Sequence, residues 1–159
     1  MRLPRPTAAL PGAATLVAAA FLAAGCASSG AVLSAPRAQY GSPTPEQAVS
    51  TFLDASSSKD YERMGQQFGT HDGPAELKLG AKDVEQRMVV LAAFLTHDDY
   101  TVEAGSQSLL ESYERRFQVH LTGTSRGAVT VPFVAASTQD GRWYVERIDL
   151  DPLTRQGGS

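Results

Sequence analysis

The chain has 159 residues and a formal net charge of −3, from 14 Lys and Arg against 17 Asp and Glu. Proteins that bind nucleic-acid backbones cluster Lys and Arg, so this acidic balance argues against nucleic acid as a partner. Cys26 is the single cysteine of the sequence, which excludes a disulfide within the chain.

Residues 1–25 have the parts of an export leader in the usual order. Arg2 and Arg5 precede an uncharged stretch, rich in alanine and leucine, that runs from Thr7 to Ala24. A basic start, a short apolar run and a small-residue end are typical of a secretory signal peptide. Pro11-Gly12 interrupts the run, which leaves it shorter than the roughly 20 residues of a spanning helix. We therefore expect a lipoprotein signal peptide over 1–25.

Leu22-Ala23-Ala24-Gly25-Cys26 resembles the lipobox of bacterial lipoproteins, although Ala23 stands where that motif usually has leucine. The resemblance implies a diacylglycerol cysteine at Cys26, with a further acyl chain such as palmitate, and so an exported protein whose partner is the cell membrane. Ala27 after the cysteine favours the periplasmic side of the outer membrane if the source is Gram-negative. The alternative is ordinary signal cleavage nearby, which would give a soluble exported protein.

The chain downstream of Cys26 divides by composition into a tether and one domain. Residues 26–43 are rich in Ser, Pro, Gly and Ala, which is typical of a flexible linker. The folded domain is predicted over 44–154, followed by a disordered tail at 155–159.

Three helices are expected at the start of the domain. Thr44-Pro45-Glu46-Gln47 is a capping box with proline at the first helical position, and it predicts where the first helix begins. Asp60 and Asp83 are expected to cap the second and third helices. Apolar residues then recur at helical spacing: they are Ala48, Val49, Phe52 and Leu53, then Tyr61, Met64 and Phe68, then Val84, Met88, Leu91 and Leu95.

After the third helix the hydrophobic period changes to two, which predicts strands. The strands are expected from Tyr100 towards Leu110, over 113–121, over 129–133, and from Arg142 to Leu150. Short turns between them imply antiparallel pairing. Pro132 conflicts with an interior strand because proline lacks the ladder donor. The predicted fold class is α+β, with N-terminal helices packed on one face of a curved antiparallel sheet of about four strands.

Two segments resemble NTF2-like (cystatin-like α+β) domains. One is PTPEQAVSTFLDA at 43–55, followed by Lys59-Asp60-Tyr61, and the other is DGRWYVERI at 140–148. The resemblance implies a cone-shaped sheet, often with an inner pocket. Some members are dehydratases, isomerases or cyclases with an Asp, Asp–His or Tyr–Asp set in that pocket. No residue of this chain matches such a set by position, so we predict no catalytic residue, no cofactor and no metal site.

Two arginines on the predicted sheet are candidate ligand-binding residues. Alternation places Arg115 on the apolar face with Phe117, and it places Arg147 on the same face as Trp143. Together with Tyr61 they could form a pocket for a small anionic molecule. The alternative is that both arginines extend to solvent or pair with acidic side chains.

The histidines give weaker signals. His71-Asp72 and His97-Asp98-Asp99 fit either a polar dyad or metal site, or ordinary turn and helix-end roles. His120 falls on the polar side of its strand. The spacing of these residues matches neither a zinc finger nor an EF-hand.

Three functional hypotheses follow. The first is a lipid-anchored cell-envelope protein whose non-catalytic NTF2-like domain binds a protein partner or a small ligand. The second is an enzyme of the same fold, of dehydratase, isomerase or cyclase type, with a pocket Asp or His as general acid and base. The third is a homodimer formed through the sheet. A deep cavity with Asp, His or Tyr of shifted pKa would favour the enzyme.

Overall fold

The computed structural model describes residues 40–107 and 111–155. The elements in chain order are α1 (Pro45–Ser58), α2 (Tyr61–Gln66), β1 (Gly69–Thr70), β2 (Gly73–Pro74), α3 (Glu76–Leu79), α4 (Ala81–Phe94), β3 (Asp99–Ala104), β4 (Glu114–Thr124), β5 (Gly127–Ser137), β6 (Trp143–Ile148) and α5 (Asp151–Thr154). Helices combined with antiparallel sheets make the fold α+β, as the sequence predicts.

Helix α1 begins where the capping box predicts. The Thr44 hydroxyl accepts a hydrogen bond from the Gln47 amide at 3.3 Å, which satisfies one of the free N–H groups of the first turn. The helix ends at Lys59, whose φ of 57° lies in the left-handed region. Its buried face carries Ala48, Val49, Phe52, Leu53, Ala55 and Ser56.

Helix α2 is capped as predicted, whereas α4 is not. The Asp60 carboxylate accepts from the Arg63 amide at 3.0 Å. Helix α4 has Gly80 at its N-cap, with a φ of 84°, so the predicted cap at Asp83 is wrong. Asp83 lies in the first turn instead, where a carboxylate still interacts favourably with the positive end of the helix dipole.

The main sheet is an antiparallel meander in the order β3-β4-β5-β6. Phe117, Val119 and Leu121 of β4 are buried, and they pair with Phe133, Val131 and Val129 of β5. Every second side chain of these strands therefore points towards α1. The rings of Phe52 and Phe133 pack edge-on there, with their centroids 6.3 Å apart. The predicted four-stranded pattern therefore holds, although β3 ends at Ala104 rather than Leu110, which lies outside the described residues.

Pro132 lies within the central strand β5, which the sequence did not favour. It pairs with Gln118 of β4, and its carbonyl accepts from the Asp149 amide at 2.9 Å on the β6 side. The N–H and C=O of a strand residue point to the same side, so the missing donor of Pro132 faces β6. The β6 ladder has already ended at Ile148, and proline therefore costs no regular ladder bond there.

The domain begins before the predicted boundary. Ser42 exchanges two backbone hydrogen bonds with Trp143 of β6, at 2.9 and 2.8 Å, and Gly41 donates to the Gln66 carbonyl at 2.9 Å. The Ser42 hydroxyl also donates to the Gln67 side chain at 2.7 Å. Residues 40–43 consequently belong to the folded unit, and the predicted tether over 26–43 is too long at its C-terminal end. The cause is backbone pairing, which composition does not reveal.

The core is filled by side chains from the helices and the sheet. The largest fully buried side chains are Phe52, Phe133, Leu53, Met64, Met88, Leu95, Leu121, Val49, Val119, Val131 and Val145. Phe94 of α4 lies outside this core and is 43% exposed.

Candidate functional site

A cleft of about 710 Å³ opens between the β1–β2 turn and the end of the β5–β6 hairpin. We call it the His71–Tyr113 cleft. Its lining combines aromatic rings, hydroxyls and carboxylates: the residues are His71, Asp72, Gly73, Pro74, Tyr113, Ser137, Thr138, Gln139, Asp140 and Tyr144. Aromatic surfaces with a few polar groups are the usual composition of a small-molecule site.

Two rings form one wall of the cleft. The imidazole of His71 packs on the Tyr113 ring with centroids 4.7 Å apart and an interplanar angle of 34°. The Tyr113 carbonyl accepts from the Ser137 amide at 2.9 Å, which fixes this residue against the end of β5. The close approach of the β1–β2 hairpin depends on Gly69, because a Cβ there would lie 2.5 Å from the Gly73 carbonyl oxygen.

The carboxylates of the cleft are held in their ionised form. The Lys78 ammonium donates to Asp72, and this hydrogen bond, followed by the charge of His71, lowers the pKa of Asp72. A hydrogen bond from the Thr138 hydroxyl is the main cause that lowers the pKa of Asp140. His71 Nε2 lies 3.1 Å from Asp72 Oδ1, and both residues line the same cleft. The structure does not assign them a metal.

A buried carboxylate lies close to the cleft. Glu114, the first residue of β4, is only 6% exposed. Its Oε1 accepts from Arg147 Nη2 at 2.7 Å, and its Oε2 accepts from the Glu111 amide at 3.1 Å. A buried charge is tolerated when it is paired and hydrogen-bonded, and Glu114 meets both conditions.

Glu146 lies beside Glu114 and has a different environment. Its Oε2 is buried and has no hydrogen-bond partner within the described part of the chain. Burial is the main cause that raises the pKa of Glu146, and the negative charge of Glu114 raises it further. A hydrogen bond with the Glu114 side chain also raises the pKa of Glu146, whereas Arg147 and His71 lower that pKa.

A β-bulge creates this arrangement. Val134 pairs with Arg147, whereas its neighbour Ala135 pairs with Val145, so Glu146 is the extra residue of β6. The bulge reverses the facing of the residues that follow it. Arg147 consequently lies on the side of Glu114, opposite to Trp143, and the predicted shared face of Arg147 and Trp143 is wrong.

The other predicted ligand-binding residues lie in two places. The guanidinium of Arg115 lies 5.7 Å from the centroid of the Trp143 ring, and it donates to the Ser112 and Glu114 carbonyls at 3.1 and 2.7 Å. Tyr61 lies on α2 and packs against the core. Of the four candidates, only Arg115 and Trp143 are brought together.

The remaining histidines have local partners. His120 contacts Thr130 Oγ1 through Nδ1 at 2.8 Å and Glu103 Oε2 through Nε2 at 3.3 Å. His97 contacts Ser57 Oγ through Nε2 at 2.9 Å. Across residues 40–107 and 111–155, no group of three His, Cys, Asp or Glu side chains is placed to hold a metal ion.

Alternation along β4 does not indicate the Glu114–Glu146 pair, because it places Glu114 on the face opposite to Phe117. One available signal was the run Glu146-Arg147 beside a tyrosine in a strand otherwise rich in apolar residues. The β-bulge that brings the side chains of Glu146 and Arg147 close to Glu114 has no recognisable sequence pattern.

Within residues 40–107 and 111–155, none of the helices has the length and hydropathy needed to span a bilayer. Cys26, the predicted lipidation site, lies outside those residues.

No protein-family model and no curated protein matches the chain. Among solved structures, the chain is similar to an NTF2-like protein of unknown function from Cytophaga hutchinsonii, with 10% sequence identity and a TM-score of 0.33. The alignment covers 70% of this chain and 96% of that one.

Proposed function

We propose that this protein is a lipid-anchored cell-envelope protein whose α+β domain, of NTF2-like type, binds a small amine-bearing ligand in the His71–Tyr113 cleft. The observation that carries the proposal is the buried Glu146 Oε2, which lacks a hydrogen-bond partner among the described residues, close to a cleft walled by aromatic rings. A bound amine adds a donor and a positive charge near this carboxyl group.

The electrostatics of the region favour a cation over an anion. Arg147 neutralises only one carboxylate of the Glu114–Glu146 pair. Asp140 adds a further ionised carboxylate on the rim. Aromatic rings attract cations through the negative charge of their faces, and Tyr113 and His71, whose rings pack on each other, both line the cleft.

An organic cation fits the site better than a metal ion. The described residues hold no cluster of three metal-ligating side chains, whereas the volume of about 710 Å³ accommodates a small ring with a side chain. Arg147 pairs with Glu114 at 2.7 Å, which favours a cation here over the anion expected for Arg115, Arg147, Trp143 and Tyr61.

The test compares two ligands that share a ring and differ in charge. We expect ligand-observed NMR on the full chain to detect tyramine, which is cationic, and not 4-hydroxyphenylacetate, which is anionic. Tyr113→Ala should weaken tyramine about fivefold, equivalent to about 1 kcal/mol of cation–π attraction. Asp140→Asn should also weaken it, whereas Asp83→Asn, which removes the same charge from exposed α4, should not. Equal binding of both ligands, or of neither, would overturn the proposal.

The anchoring part of the proposal is supported by the leader and by Cys26 in its lipobox-like setting. One acyl chain gives marginal membrane binding and several give stable attachment, since each buried CH₂ contributes about 0.8 kcal/mol. Cys26→Ser should abolish incorporation of labelled palmitate and move the protein from the membrane fraction to the soluble one. A Cys26→Ser protein that stays in the membrane fraction would show a different anchor.

A second candidate is an enzyme acting at the same cleft. The observation that favours it is the raised pKa of Glu146 beside Glu114, which pairs with Arg147, since carboxyl groups in unequal environments supply a general acid and a general base. On this hypothesis Glu146→Gln abolishes turnover of the bound amine in addition to weakening its binding. Unchanged turnover in that variant would leave binding as the only role.

A further inference from the structure

A second depression, of about 370 Å³, lies between the end of α1, the start of α2 and the last turns of α4. Ser57 and His97 both line it. It shares no residue with the His71–Tyr113 cleft, and we call it the Ser57–His97 pocket.

The hydrogen bonds of His97 fix which ring nitrogen carries the proton. Nδ1 lies 2.6 Å from the Leu95 carbonyl oxygen, which can only accept, so Nδ1 is the protonated nitrogen. In the neutral ring Nε2 then offers a lone pair, and the Ser57 hydroxyl donates to it at 2.9 Å. Tyr100 holds the imidazole edge-on, with centroids 5.5 Å apart. A hydroxyl bonded to an oriented imidazole is the arrangement of an activated nucleophile.

The same pocket contains a cation that can stabilise negative charge. Lys59 lines the pocket together with Ser57. A developing oxyanion is stabilised by a positive charge that is already in position.

The opposite wall of the pocket is apolar. Val89, Ala92 and Ala93 of α4 line it, and Val89 is 44% exposed despite its hydrophobic side chain. A short acyl chain can lie on this wall while its carbonyl group faces Ser57.

We propose that Ser57 and His97 catalyse acyl transfer from small esters. Ser57 Oγ forms a bond to the ester carbonyl carbon, and His97 Nε2 takes the hydroxyl proton. The bond to the leaving alkoxide then breaks, and His97 returns the proton to that oxygen, which releases an alcohol and leaves acyl-Ser57. Water attacks the acyl group with His97 again as base, which releases a carboxylic acid and restores Ser57.

The experiment follows 4-nitrophenolate release from 4-nitrophenyl acetate by the full chain, with intact-mass and peptide analysis of the acetylated protein. We expect one acetyl group on Ser57. Ser57→Ala should reduce release to the rate of non-specific lysine acetylation, and His97→Gln should slow it by about 100-fold, the lower range for general-base catalysis. Imidazole added to a His97→Gly variant should restore part of the rate.

Ser58 provides the matched control. It neighbours Ser57 on the same helix, but its hydroxyl donates, among the described residues, only to the Asp54 and Ala55 carbonyls, at 2.9 and 3.2 Å. Ser58→Ala should keep the wild-type rate, and circular dichroism should show the same helix content in all variants. The absence of an acetyl group on Ser57, or an unchanged rate in Ser57→Ala, would overturn the proposal.

Discussion

Replacement of Arg147 by methionine tests whether the charge of Glu114 depends on a single partner. Arg147 Nη2 lies 2.7 Å from Glu114 Oε1, and the Glu114 side chain is only 7% exposed whereas that of Arg147 is 59% exposed. Removing one member of a fully buried pair costs about 3–5 kcal/mol, and an exposed pair contributes about 0–1 kcal/mol. The half-exposed geometry places the expected loss of unfolding free energy at about 1.5–3 kcal/mol, which matches the range for hydrogen bonds to charged groups.

The assay is urea unfolding of the full chain followed through the fluorescence of Trp143, the single tryptophan. With an m-value of about 1–3 kcal/mol/M, the midpoint for Arg147→Met should fall by about 1 M. Arg87→Met, an exposed change on α4, should leave it within about 0.5 kcal/mol of wild type. The double variant Glu114→Gln/Arg147→Met should recover most of the loss, because no unpaired charge remains. A double variant as unstable as Arg147→Met would refute the electrostatic explanation.

Three further changes have defined outcomes. Glu146→Gln should raise the urea midpoint at about pH 7, because a carboxyl group whose pKa is raised in the folded state destabilises that state once the group ionises. This gain should vanish below the ordinary pKa of glutamate, where the wild-type carboxyl group is protonated in both the folded and the unfolded state. Gly69→Ala should cost about 1–3 kcal/mol by the same unfolding assay, since its Cβ would clash with the Gly73 carbonyl. Phe52→Ala should lower the free energy of unfolding by about 3–5 kcal/mol, and a loss below 1 kcal/mol would contradict its central place against Phe133.

Local sequence signals predicted those parts of the fold that local chemistry controls. The cap at Thr44 and the cap at Asp60 both form, because a side-chain oxygen needs only a free amide three residues away. The strands of the meander are likewise predictable, since a strand that buries one face has apolar residues at alternate positions. The cap at Asp83 failed because Gly80, with its positive φ, begins the helix one turn earlier.

The candidate site was less predictable because it depends on a register shift. Strict alternation along β6 predicts that Arg147 shares a face with Trp143, and one extra residue at Glu146 reverses that facing. The same shift brings a cation to the buried carboxylate of Glu114. The sequence indicates His71 and Asp72 as candidates, but their position beside Tyr113 depends on the β1–β2 hairpin. Strands of two residues are too short to leave a recognisable pattern in the sequence.

The pairing of Ser42 with Trp143 also determines which edge of the sheet is available to other chains. Strand β6 is the last of the four, yet Ser42 pairs with Trp143 and the Gln67 carbonyl accepts from the Val145 amide at 2.8 Å, so part of its outer edge is already occupied. Within the described residues, β3 at the opposite end has no strand beyond it. Asp99 and Glu103 place negative charge along that strand, and edge charges of this kind oppose the addition of a further strand. The sheet is thus protected from edge-to-edge aggregation by backbone capping at one end and by charge at the other.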